Sequence, residues 1–140
     1  MKSNYVTLEV AQLFKQSGYV LNSDKAYVLK SIGNIVKGKL YSFQYLLNLN
    51  YPLNNICTAP TLWEAAKWLR EEHNIHVDVG VAGDSSNDAD GNVCEEWTFW
   101  MFDIYTIDPL HHFDVEDNRE YSSYEEALNE GIKVALTSLN

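Results

Sequence analysis

The run Ile75-His76-Val77-Asp78-Val79-Gly80-Val81-Ala82 puts Ile or Val at every second position. Successive side chains of a strand point to opposite faces, so this spacing predicts a β-strand with one buried and one wet face. A second β-prone run spans residues 97–107, after a polar interval at residues 83–95 that reads as a loop. The simplest pairing is an antiparallel hairpin with a long connection. The second run is apolar on both faces. Trp97, Phe99, Met101 and Tyr105 share one, and Trp100, Phe102 and Ile104 share the other.

Helical patterns bracket the hairpin. Thr61-Leu62-Trp63-Glu64 fits a capping box, in which Thr61 bonds the backbone N–H near Glu64 and Glu64 reaches back. Pro60 disfavours an earlier start. Leu62, Ala65, Ala66 and Leu69 then repeat at helical spacing, and the helix should end near His73-Asn74. Ser123-Tyr124-Glu125-Glu126 reads as a second capping box. It opens a last helix whose apolar face is Tyr124, Ala127, Leu128, Ile132, Ala135, Leu136 and Leu139. Gly131 lies inside that helix at a cost of about 1 kcal/mol, which points to close packing on the sheet.

Near the N-terminus, Thr7 is suited to cap a helix over residues 7–16. Val6, Val10, Leu13 and Phe14 form its apolar face, and Gly18 is a stop. Residues 21–55 are harder to read. Tyr27, Val28, Leu29 and Ile32 suit a short strand or a helical turn, and Gly33-Asn34 and Lys37-Gly38-Lys39 suit turns. Residues 40–47 read as a strand, with Tyr41, Phe43, Tyr45 and Leu47 on one side. Residues 48–55 and 109–119 read as loops. No repeat or low-complexity tract interrupts the chain. The fold class expected is α+β: an antiparallel sheet of three or more strands, with about three helices packed mainly on one face.

Composition sets the wider bounds. The chain has 140 residues, 46% apolar and 21% charged, which suits one domain with its own core. The only cysteines, Cys57 and Cys94, read as reduced thiols, not as a framework or a metal motif. No apolar run approaches a membrane span, and residues 1–13 lack the apolar core of a signal peptide, so a cytoplasmic location is expected. The net charge of −10 argues against direct contact with nucleic acid or an anionic membrane. The charge is uneven. Residues 1–70 hold eight Lys and Arg against three Asp and Glu, a net of +5, and residues 71–140 hold two against seventeen, a net of −15.

Several segments resemble a group of small uncharacterised proteins from gut Bacteroides-type bacteria, their prophages and mobile elements. They are Phe14-Lys15-Gln16-Ser17-Gly18-Tyr19, then Ala59-Pro60-Thr61 running into Lys67-Trp68-Leu69-Arg70-Glu71, then His73-Asn74-Ile75, and Tyr124-Glu125-Glu126-Ala127-Leu128. Residues 24–39 are longer than the usual pattern of that group. The resemblance implies an accessory protein of bacterial or phage origin and implies no activity.

Candidate chemistry is sparse. Residues 84–92 resemble a calcium loop. With Gly91 at the required glycine, though, Ser86 and Trp97 fall where a carboxylate and a bidentate Glu are needed. A solvated turn explains the same residues. His73, His76 and the pair His111-His112 do not converge at helical spacing as zinc requires. A site joining His76, Asp78 and the His111-His112 segment needs that segment to fold onto the strand. Neither cysteine has a nucleophile context, and there is no phosphate-cradling glycine loop. No catalytic residue, metal ligand or cofactor is assigned.

The aromatic run at residues 97–107 carries the functional expectation. A sheet with helices on one side has one dry face, so one row faces out unless segments around Pro52 or Pro109 cover it. The candidate binding residues are Trp63, Trp68, Trp97, Trp100 and Phe102. The leading expectation is a non-enzymatic interaction module with a protein partner, self-association included. Two alternatives are an acidic nucleic-acid mimic that blocks a DNA-binding protein, and a metal-dependent enzyme using the His and Asp residues.

Overall fold

The computed structural model describes residues 3–18, 23–113, 115 and 120–139. Tyr19, Leu21 and positions 114 and 116–119 of the expected loop lie outside the described residues. The class is α+β, with two three-stranded antiparallel sheets and four α-helices among the described residues. The hairpin region supplies one sheet. A second forms from residues that read poorly as sequence.

The first helix, α1 (Leu8–Gln16), starts as its sequence dictates. Thr7 is extended, and its hydroxyl accepts from the Val10 N–H. Gly18 follows at φ +76, where a Cβ would be strained. The strands β1 (Lys25–Val28), β2 (Leu40–Ser42) and β3 (Ile56–Thr58) then form a sheet in the order β2-β1-β3. The predicted strand at residues 40–47 is only half strand. After β2, Ser42 caps a short helix, α2 (Phe43–Asn48), its Oγ accepting from the Tyr45 N–H. The expected loop at 48–55 holds the last residue of α2 and a 3-10 turn at Leu53–Asn55. Both faces of β1 are buried. Ala26 and Val28 join Ile35, Leu46, Tyr51 and Ile56 on one side, and Tyr27 joins the main core on the other.

Helix α3 (Leu62–His73) carries the full capping box, with Thr61 and Glu64 exchanging hydrogen bonds. It ends at Asn74 in the left-handed conformation. Two long strands follow, β4 (His76–Asn87) and β5 (Val93–Thr106). They are antiparallel, pairing His76 with Tyr105 and, at the far end, Ser86 with Glu95. The polar interval at residues 83–95 is therefore mostly strand, and the connection is a turn at residues 88–92. Asp88 holds this turn by accepting from the N–H groups of Asp90 and Asn92. A two-residue strand, β6 (His111–His112), pairs with Tyr105 and Thr106 inside the segment expected to be loop.

The last helix, α4 (Tyr124–Leu139), packs on β4 and β5. Only half of its predicted capping box forms. Ser123 accepts from the Glu126 N–H, but the Glu126 carboxylate accepts from the N–H and hydroxyl of Ser122. Gly131 is the contact point. A Cβ there would lie 2.5 Å from Val77 Cγ1 and 3.2 Å from the Phe102 ring. Helices α1, α3 and α4 meet over Val10, Phe14, Leu69, Ile132 and Leu136, which form the main core with Ile75 and Ile104. Among the described residues no helix is long and apolar enough to cross a membrane.

Candidate functional site: the uncovered face of the hairpin sheet

Register assigns every side chain of the hairpin to a face. Val77, Val79 and Val81 pair with Ile104, Phe102 and Trp100, and this row meets α4. The opposite row pairs His76 with Tyr105, Asp78 with Asp103, Gly80 with Met101, Ala82 with Phe99 and Asp84 with Trp97. No helix packs on that second face among the described residues. Strand β6 extends the sheet sideways and leaves it open. Trp97 is 38% exposed and Met101 45% exposed, and Phe99 and Tyr105 are partly exposed. Side chains this large are normally withdrawn from water, and the apolar run of Trp97, Phe99 and Met101, which Asp103 separates from Tyr105, is a mark of interaction.

The face has two ends. Towards residues 97–101 it is apolar on β5, while β4 contributes Gly80 and Ala82 and, opposite Trp97, Asp84. A Cβ at Gly80 would meet nothing within 4 Å. The result is a low strip along β4 beside a wall of Met101, Phe99 and Trp97. At the other end the face is polar and internally paired. The Tyr105 hydroxyl donates to Asp78 Oδ2 at 3.0 Å, and His112 Nδ1 lies 2.9 Å from Asp103 Oδ2. The His76 ring stacks on Tyr105, with centroids 5.2 Å apart and planes 7° from parallel. Like charges directly across a ladder repel. The Asp78–Asp103 pair persists with a hydrogen-bonding partner on each carboxylate. The bond to Asp78 holds the Tyr105 phenol above its ordinary range, with partial burial and the charges of Asp78 and Asp103 adding to the effect.

The five candidate binding residues separate. Trp97 stands on the open face, its indole N–H donating to Glu120 at 3.2 Å. Trp100 and Phe102 lie on the α4 side. Trp100 meets Tyr124 edge-on at 5.7 Å, and Phe102 packs against the main core. Trp68 does not belong to a surface patch. It packs edge-on against Phe14 at 5.4 Å, because the last turn of α1 and the second half of α3 meet there. Trp63 is 69% exposed, with the Arg70 guanidinium over its ring. A cavity of about 340 Å³ lined by Trp63, Tyr124 and Glu125 relates it to Trp100 through Tyr124, but not to Trp97.

The polar cluster on the open face is what the candidate residues missed. Its signal was in the sequence, because pairing the two runs in antiparallel register brings Asp78 opposite Asp103 and His76 opposite Tyr105. The His111-His112 segment folds onto β5, not onto the strand that carries His76 and Asp78, and it brings His112 beside Tyr105. Among the described residues no three His, Cys, Asp or Glu side chains gather as a metal site. The residues that resemble a calcium loop use Asp88 to hold their own turn. The two thiols differ. Cys94 is exposed, whereas Cys57 is buried and its thiol is pushed up by that burial, with Lys15 acting in the opposite direction.

Comparison of the chain with protein-family models, with curated proteins and with solved structures gives no match.

Proposed function

We propose that this protein is a non-enzymatic interaction module of the accessory type, which engages a protein partner through the uncovered face of β4, β5 and β6. One observation carries the reading. Trp97, Phe99 and Met101 form a continuous apolar row, with Tyr105 beyond Asp103, on a sheet face that no helix covers among the described residues. Covering such a row would remove apolar area worth about 25 cal/mol per Å². The chemistry of the face points the same way. Asp78 and Asp103 are engaged by Tyr105 and His112, so they organise the surface and do not present a bare acid and base.

The reading is tested by quenching Trp97 fluorescence in a variant whose other tryptophans are Phe, alongside light scattering and crosslinking. Ready quenching of Trp97, or its protection inside a crosslinked oligomer, is the expected result. A strict monomer in which Trp97 is shielded from quencher would sink it.

A second reading, an acidic decoy for a nucleic-acid-binding protein, is favoured by the end of the hairpin. Asp84, Asp88, Asp90, Glu95 and Glu96 are all exposed there. Its test is competition. A DNA-binding partner should release this protein when duplex DNA is added, and a partner that binds both at once would exclude it.

A further inference from the structure

Strand β4 is an edge. Its ladder partner is β5, and the sheet order β4-β5-β6 leaves the other side of β4 unpaired over its length among the described residues. Long edge strands are a template for another strand, and proteins commonly guard them with lysine, proline or a covering element. Residues 76–87 contain no Lys, Arg or Pro, and their middle is Gly80-Val81-Ala82-Gly83. Val81 is 62% exposed although it lies on the α4 side, so α4 does not shelter this part of the edge. The charge is equally one-sided. The sequence has no Lys or Arg between Arg70 and Arg119, so β4, β5 and β6 are built without one.

From these facts, and resting on the interaction reading above, we infer that the β4 edge accepts an extended basic segment of a partner protein as an additional antiparallel or parallel strand. A strand added beside β4 places alternate residues on the open face, next to Asp78, Gly80, Ala82 and Asp84. The two aspartates are about 20 Å apart at the usual rise of a strand. The segment that fits therefore has cations at positions i and i+6, and large apolar residues at i+2 and i+4. The cations meet Asp78 and Asp84. The apolar side chains lie across the Gly80–Ala82 strip and reach Met101 and Phe99. This pattern reads the same in both chain directions. Main-chain bonds supply the pairing and the alternate side chains supply the selectivity, as in other strand-addition complexes. A second copy of this chain fits less well, because antiparallel pairing centred on Val81 would set Asp78 against Asp84 of the copy. Like charges opposed in this way repel.

The probe is a peptide of about ten residues, with Lys at the second and eighth positions, Phe and Leu at the fourth and sixth, and Thr at the remaining ones. It is titrated into the full-length protein, with amide shifts followed by NMR. Saturable binding with shifts centred on residues 77–84 is expected. So is at least about tenfold weaker binding of the peptide with Glu in place of Lys, and loss of binding as salt is raised. In an Asp78→Lys, Asp84→Lys double variant the preference should invert towards the Glu peptide. This inversion also shows that the variant has kept its fold. Equal affinity for the two peptides, no binding of the Lys peptide, or shifts away from β4 would overturn the inference. Its failure is separable from failure of the interaction reading. If the Lys peptide does not bind while Trp97 is readily quenched or protected in an oligomer, only the basic-strand inference falls. If Trp97 is shielded in a monomer, both fall.

Discussion

The side-chain amide of Asn129 clasps Thr7 from two sides. Its Oδ1 accepts from the Thr7 N–H at 3.0 Å, and its Nδ2 donates to the Thr7 hydroxyl at 3.3 Å. The two residues are 122 positions apart, so this contact ties the cap of α1 to the middle of α4. Asn129 is buried, and removing its amide leaves the Thr7 N–H without that acceptor. The bond is part-buried, and losing a hydrogen bond of this kind costs about 0.5–1.5 kcal/mol. Asn129→Ala should therefore lower the midpoint of urea unfolding by about 1 M, at the m-values usual for small domains. Unchanged unfolding would show that water replaces the amide at no cost.

The seat of α4 on the sheet makes the opposite kind of demand, for absence of atoms. Gly131→Ala improves helix propensity by about 1 kcal/mol. Its Cβ, however, would fall 2.5 Å from Val77 Cγ1, on a stiff β-branched side chain. Overpacking of this kind costs about 1–3 kcal/mol. Net destabilisation is expected, smaller or reversed when Val77→Ala removes the clash. A double-mutant cycle should give a coupling above about 0.5 kcal/mol. Strict additivity would mean that the helix simply shifts on the sheet.

The parts of the fold that could be read from sequence are those decided locally. The Thr61–Glu64 box, the Thr7 cap and the alternation at residues 75–82 all depend on neighbours within one turn or one pleat. Residues 40–47 misled because their aromatic alternation mimics a strand. The cap at Ser42 turns the chain into α2 instead, burying Leu46 while Tyr45 and Leu47 stay exposed. The polar interval at 83–95 misled for a different reason. Beyond the reach of α4 both faces of the hairpin are wet, so its strands need no apolar residues, and backbone pairing alone carries them.

Site legibility followed the same division. That one aromatic row of β5 faces out was readable from period two. Which row it is depends on where α4 packs, and Gly131 was the only local sign of that. Trp68 lies off the apolar stripe of its own helix, and only α1 crossing at Phe14 accounts for its packing. The pairing of Asp78 with Tyr105, and of Asp103 with His112, needed the hairpin register and the return of β6. Neither is a property of any one segment.

The two thiols offer a direct check on the core. Cys94 is exposed near the hairpin turn, whereas Cys57 is buried in β3 and its thiol is held up by that burial. A thiolate is the reactive form, so the native protein should label at Cys94 quickly. Cys57 should label only through opening of the fold, at least about 100-fold more slowly. Mass spectrometry of partially labelled protein reads this directly. Comparable rates at the two sites would place β3 outside the stable core.

The Tyr105–Asp78 bond predicts a pH response of the open face. The folded protein favours the neutral phenol, chiefly because its hydroxyl donates to Asp78 and secondarily because of partial burial and the nearby carboxylate charges. A group whose folded pKa is raised contributes its stabilisation fully below the unfolded value, about 10 for tyrosine, and loses it as pH rises through the folded value. The face should therefore stay intact through neutral and mildly alkaline pH and loosen only above about pH 10. Tyr5 and Tyr27 are also raised, so bulk absorbance cannot isolate Tyr105. Site-resolved NMR of the Tyr105 ring carbon can. Asp78→Asn removes the charge but leaves an acceptor in place, and it should move the Tyr105 titration down towards the ordinary range. Asp103→Asn, which removes only a through-space contribution, should move it less. Identical Tyr105 titrations in the wild type and in Asp78→Asn would show that the hydroxyl is not engaged by Asp78 in solution, and that the polar end of the face is not organised as described.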